Sequence, residues 1–163
     1  EKTATLMELL ARVPFHQCVV FSNNRERSEE LVSRLTREGW PSVSIAGDQA
    51  QAARTAAIAM LRKLQVRVLV STDLTARGVD VEWVTLVINF DLPRDSATYL
   101  HRVGRTGRFG TLGVAVSLIS PRFHEQKKLD HLRASLKTDI LPLHLEELGS
   151  IPEAFLASQD DVV

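Results

Sequence analysis

Cysteine is almost missing: Cys18 is the single thiol in 163 residues. No disulfide framework can form within the chain, which allows a reducing compartment. An intracellular protein, of the cytoplasm or the nucleus, is the expectation. Cys18 sits in the apolar run CVVF, where burial is expected. Net charge is missing as well, since 20 basic and 20 acidic residues give a formal charge of +0. No whole-molecule field draws in a polyanion, so any anion site has to be a local patch. The five histidines are scattered and show no metal-ligand spacing, so no metal site is expected. No apolar run approaches a membrane span and no signal peptide is evident, so no membrane partner is expected. The first residue is Glu1 rather than methionine, and the expectation is a fragment of something longer. There is no G-x-x-x-x-G-K-[ST] loop to cradle β- and γ-phosphates. No acidic cluster of the Mg²⁺-holding kind stands at a strand end, and no internal repeat or heptad run appears.

What is present fits one α/β domain. A 44% hydrophobic fraction in 163 residues can bury a real core. Helical periodicity predicts helices over Thr5–Arg12, Arg25–Glu38 (ended by Gly39), Gln49–Leu64, Ser96–Val103 and Arg122–Lys137. In the third of these, Ile58, Leu61 and Leu64 are expected to face inward. Short apolar, β-branched runs predict strands over Gln17–Ser22, Ser42–Ala46, Arg67–Ser71, Val84–Phe90 and Gly113–Ile119. The strand runs are continuous rather than alternating. That pattern implies a parallel sheet covered by helices on both faces. Trp40 and Trp83 stand near strand ends and are read as core rather than partner anchors. Residues 1–138 are expected to form this domain. Residues 139–163 are expected to be a C-terminal extension, packed at first and frayed in its acidic end.

In open parallel sheets, ligands sit at the carboxyl ends of the strands. Polar residues collect there: Ser22 to Arg25, Gly47 to Arg54, Thr72 to Asp80, and Asp91. Tyr99 to Gly110 reads YLHRVGRTGRFG, with Arg102, Arg105 and Arg108 recurring every third residue. That spacing puts guanidinium forks on one face, where each can bind phosphate oxygens bidentately. Gly104 and Gly107 let the backbone bend and another surface approach. A solvated basic face is the alternative. In TDLTARGVD (72–80), Thr72 and nearby amides suit a phosphate, and Asp80 suits ribose hydroxyls. The alternative there is Asp73 capping a helix and Asp80 pairing with Arg77. In GDQAQAAR (47–54), Gly47 and a helix N-terminus can meet an anion, with Gln51 and Arg54 three apart. An exposed polar face after a turn is the alternative. The chain thus has arginines fit to stabilise a transferring phosphoryl group and nothing to hold the nucleotide by itself.

VVFSNNR (19–25), GDQAQAAR (47–54), VLVSTDLTARGVD (68–80), VINFDLP (87–93) and YLHRVGRTGRFG (99–110) come in a known order and spacing. On these motifs, and over nearly its whole length, the chain resembles the C-terminal RecA-like domain of DEAD-box RNA helicases. The resemblance implies a two-domain ATPase. An N-terminal RecA-like domain, outside this sequence, would hold ATP with its Mg²⁺. Arg105 and Arg108 would be the arginine fingers on the γ-phosphate, and Gly78 and Asp80 would line the nucleotide. His101 and Arg102 would tie the two domains together. Asn24, Gly47, Gln51, Arg54 and Thr72 would contact RNA phosphates. The family often has Thr where Asn24 stands, and an Asn side chain can still donate a hydrogen bond there. It often has Phe where Leu61 stands, which reads as packing. Ser96-Ala97-Thr98 spells a motif of the other helicase domain and is read as coincidence. S-T-D-L-T and R-F-G-T-L-G resemble the DEAD-box subunit of the survival-of-motor-neuron complex, which implies proteins of that complex as partners. The alternative function is a catalytically retired helicase-like module that holds a protein in a ribonucleoprotein complex. A helicase acting on DNA is a third reading.

Overall fold

The computed structural model describes residues 1–72, 83–104, 106, 113–137, 139–144 and 146. Its elements are α1 (Lys2–Arg12), β1 (Gln17–Phe21), α2 (Arg25–Arg37), β2 (Ser42–Ile45), α3 (Gln51–Arg62), β3 (Val68–Ser71), β4 (Val84–Asn89), α4 (Ser96–Val103), β5 (Val114–Ser117) and α5 (Glu125–Leu136). The strands form one sheet in the order β2-β3-β1-β4-β5, and every pairing is parallel.

Continuous apolar runs become strands with two buried faces. Alternate residues point to opposite sides of a strand, so one run feeds two cores. Cys18, Val20, Val68, Val70, Leu86 and Ile88 pack against Leu6, Leu9 and Leu10 of α1 and Leu31 and Leu35 of α2. Val19, Phe21, Leu69 and Val87 pack on the other side with Ala57 and Leu61 of α3. A third cluster joins Leu92 and Tyr99 to Leu129 and Leu132 of α5, with Ile140 partly buried against it. Trp40 is partly buried against the first core and its ring centroid lies 5.8 Å from that of Phe15. No helix among the described residues is long and apolar enough to cross a membrane.

Three expectations need correction at helix ends. Gln49 does not begin α3: its side-chain oxygen accepts from Ala46 N at 3.3 Å and closes the preceding turn. Leu64 does not face inward: it is 62% exposed. Leu64 N donates to Leu61 O and Gln65 N to Met60 O, with Leu64 at φ 59. This is the Schellman end of a helix, with leucine in the left-handed position that glycine usually takes. Gly39 holds that position in α2, at φ +90, with Gly39 N on Thr36 O and Trp40 N on Leu35 O. The expected last helix is split, because His124 adopts φ 54 between a 3-10 turn (Pro121–Phe123) and α5.

Candidate functional site

The sheet order sets the site. From β1 the chain leaves through α2 toward the β2 edge, and from β4 it leaves through α4 toward the β5 edge. β1 and β4 are neighbours, so their outgoing segments diverge and open a crevice at their carboxyl ends.

Arg102 fills the floor of that crevice. It is 0% exposed. Its Nη1 donates to Asn89 Oδ1 at 3.1 Å and to Asp91 O at 2.6 Å, and its Nη2 donates to Asn23 Oδ1 at 2.7 Å. The guanidinium carbon lies 5.0 Å from the Phe21 ring centroid, a cation–π distance. These partners all lie within this chain. In this domain Arg102 is thus held by groups at the ends of β1 and β4. His101, its neighbour on α4, is exposed.

Asp91 is the second organising group. Its carboxylate accepts from Ser22 Oγ at 3.3 Å, from Asn23 N at 2.9 Å and from Arg27 Nη1 at 2.8 and 3.0 Å. Asn23 Nδ2 donates to Leu92 O at 3.0 Å, and Asn89 Nδ2 to Ser117 Oγ at 3.1 Å. Three strand ends and two helices are thus stitched by side chains where backbone pairing stops. Asn89 and Arg27 are not singled out in the sequence, and Asn23 enters there only within the polar stretch Ser22 to Arg25. Asn89 carried a usable signal, a polar amide inside the apolar run VTLVINF. A buried amide in such a run needs a partner.

The expected RNA contacts lie on the other half of the same edge. Asn24 caps α2, accepting from Arg27 N at 3.0 Å through Oδ1. Its Nδ2 has no hydrogen-bond partner among the described residues and is left to donate. Gly47 is exposed in the turn after β2. Gln51 is the exposed first residue of α3, whose N-cap, Ala50, makes no side-chain cap bond. Arg54 is half-buried, and its Nε makes no hydrogen bond among the described residues. Thr72 follows β3, with its N–H on Ile45 O at 3.2 Å. Asn24, Gly47 and Thr72 thus follow three adjacent strands. Gly78, Asp80, Arg105 and Arg108 lie outside the described residues, as do Asp73, Arg77 and Gly107.

The sequence profile of the helicase conserved C-terminal domain matches residues 1–110. The chain belongs to that family. It is a C-terminal domain of the DEAD-box kind, as its relatives and structural neighbours show. A probable ATP-dependent RNA helicase, ddx20, of Dictyostelium discoideum is 49% identical over 126 residues, which are 77% of this chain and 15% of that protein. Its namesake in Mus musculus is 45% identical over 143 residues, 88% of this chain and 17% of that protein. The helicase domain described here thus spans about a sixth of the length of these relatives. Among solved structures, the E. coli DEAD-box protein SrmB, bound to the regulator of ribonuclease activity A, superposes with a TM-score of 0.83 at 39% identity. That match covers 90% of this chain and 85% of the SrmB chain. Dbp5 of S. cerevisiae, bound to RNA and ADP BeF3, gives a TM-score of 0.85 at 27% identity, covering 97% of this chain and 42% of Dbp5. The RecA-like architecture expected from the motifs is the observed one.

Proposed function

We propose that this domain is the RNA-binding, arginine-finger half of an ATP-dependent RNA helicase. The carrying observation is that Asn24, Gly47 and Thr72, which follow β1, β2 and β3, share the carboxyl edge of one sheet with Arg102 of the arginine-rich stretch. Asn24, Gly47, Gln51, Arg54 and Thr72 hold a strand by its phosphates from the β2-β3-β1 side. Such contacts fix a strand without reading its bases. On the β1-β4 side, α4 ends at Val103, and Thr106 N still donates to Val103 O at 3.1 Å. Arg105 and Arg108 themselves lie outside the described residues. ATP bound by a facing N-terminal RecA-like domain supplies the phosphoanhydride whose hydrolysis drives the cycle. Toward that nucleotide this chain contributes Arg105 and Arg108 at the γ-phosphate and Gly78 and Asp80 at the nucleoside, with His101 at the domain contact. Arg102 is the second residue assigned to that contact. By the same resemblance the facing domain would hold the Mg²⁺; among the described residues no group of His, Cys, Asp or Glu could hold a metal ion.

The likeness to a Dbp5 structure bound to RNA and ADP BeF3 supports this reading. The lone buried thiol fits an intracellular site, in cytoplasm or nucleus. S-T-D-L-T and R-F-G-T-L-G support membership of the survival-of-motor-neuron complex. The deciding experiment is RNA-stimulated ATP hydrolysis by the full-length parent, with and without Arg105→Ala. An arginine finger contributes roughly 10³–10⁵ in rate, so stimulation should nearly vanish in the variant. Turnover within a few-fold of wild type would remove the finger assignment. No stimulated turnover in the wild type would favour the protein-holding module. The isolated chain is expected to hydrolyse no ATP.

A further inference from the structure

One ion pair joins the two turns that carry Asn24 and Gly47. Arg25 Nη1 donates to Asp48 Oδ2 at 2.5 Å, and Arg25 Nε to Glu29 Oε1 at 3.0 Å. Hydrogen bonding to Arg25 holds the Asp48 carboxyl below its ordinary range, so both groups are charged at neutral pH. With Asn24 and Glu26, these residues line an open groove of about 500 Å³. One guanidinium faces three carboxylates there, so the groove is formally negative. That charge opposes a phosphate beside Asn24, whose Nδ2 has no hydrogen-bond partner among the described residues.

Helix formation explains Arg25 only weakly, through its i,i+4 pair with Glu29. Arg25 is the first residue of α2, where the helix dipole disfavours a cation. Its side chain is 49% exposed and Asp48 66%, and exposed pairs add little to stability. Breaking the Arg25–Asp48 pair itself therefore costs little, and the repulsion from the remaining carboxylates is what the entering phosphate has to overcome. A phosphate also takes the guanidinium fork bidentately.

We propose that Arg25 is a further RNA contact, masked by Asp48: a strand phosphate entering the groove takes the guanidinium, and Asp48 is the carboxylate it displaces. This rests on the RNA-track reading above and adds a residue and a regulator to it. Asp48 keeps affinity low when no strand is present and recaptures Arg25 as the strand leaves. The competing account is that the pair only fastens the two turns together.

The test is binding of a labelled single-stranded RNA to the full-length parent, with a non-hydrolysable ATP analogue, over a range of salt concentrations. Arg25→Ala should weaken binding roughly threefold to tenfold at low salt and reduce the salt slope by about one. Asp48→Asn should tighten binding by a similar factor. Unchanged affinity and slope in Arg25→Ala would overturn the proposal. So would Asp48→Asn weakening binding in step with Arg25→Ala, which is what a mere fastener predicts. Arg54→Ala is measured in parallel. If it too leaves binding unchanged, the RNA track itself is misplaced, and the charge exchange falls with it.

Discussion

Arg102 on α4 donates to the side-chain oxygen of Asn23, at the end of β1, at 2.7 Å. That bond closes the crevice floor between two segments 79 residues apart in sequence. It makes Arg102 a strut of the domain, whatever else the arginine-rich stretch does. Arg102→Met would strip a donor from Asn23, Asn89 and the Asp91 carbonyl together. An unsatisfied buried acceptor costs about 1–3 kcal/mol, so a loss of about 3 kcal/mol or more is expected. Asn23→Ala should lose about 1.5–3 kcal/mol, as for a hydrogen bond to a charged group. His101→Ala, one residue away and exposed, should stay within about 0.5 kcal/mol of wild type. Urea midpoints at unchanged m would check all three. Equal effects at 101 and 102 would contradict the assignment.

Leu61 and Leu64 stand three residues apart and should behave oppositely. Leu61 is 0% exposed in the core under α3, and Leu61→Ala should cost about 2–5 kcal/mol. Leu64 occupies a left-handed position at φ 59. Leu64→Gly should stabilise by about 1 kcal/mol, because the Cβ clash disappears. Gly39→Ala, at the matching end of α2, should destabilise by a similar amount. Thermal unfolding of the three variants would read the signs directly.

Asp95 caps α4, with Thr98 N donating to its Oδ1 at 2.7 Å. Hydrogen bonding to Thr98 holds this carboxyl below its ordinary value of 3.8. The unfolded chain therefore binds the proton more readily than the folded one. The cap's stability is present above the unfolded pKa and is lost as pH falls through the folded pKa. Asp95→Asn keeps a capping oxygen without a titrating group. It should match wild type at neutral pH and lose less stability on going from about pH 5 to about pH 2. Parallel pH–stability curves would contradict this.

Cys18 is 0% exposed, and burial pushes its thiol well above the ordinary range. Only a thiolate reacts readily with a disulfide reagent. Labelling in native buffer should proceed at the rate of global unfolding and become immediate in denaturant. Rapid native labelling would mean that β1 opens locally.

The strands, the helices and the parallel sheet were legible in the sequence because each is a local pattern. A run such as CVVF is apolar on both faces, and only a covered strand accepts that. Ser96–Val103 is bounded by its cap and by Gly104, and the observed helix has those ends. The motifs Val19–Arg25, Gly47–Arg54 and Tyr99–Gly110 identified the family because their order and spacing are properties of the chain alone. The sequence could not rank three arginines spaced alike. Arg102, Arg105 and Arg108 look equivalent in sequence, yet Arg102 is buried among groups from β1 and β4 that only the sheet order β2-β3-β1-β4-β5 brings together. Leu64 failed as a core residue for a related reason. Its helical phase pointed inward, but the helix stopped two residues earlier and the backbone turned it outward. The pairing of Arg25 with Asp48 likewise spans 23 residues and two turns, and long-range charge contacts of this kind are set by tertiary structure.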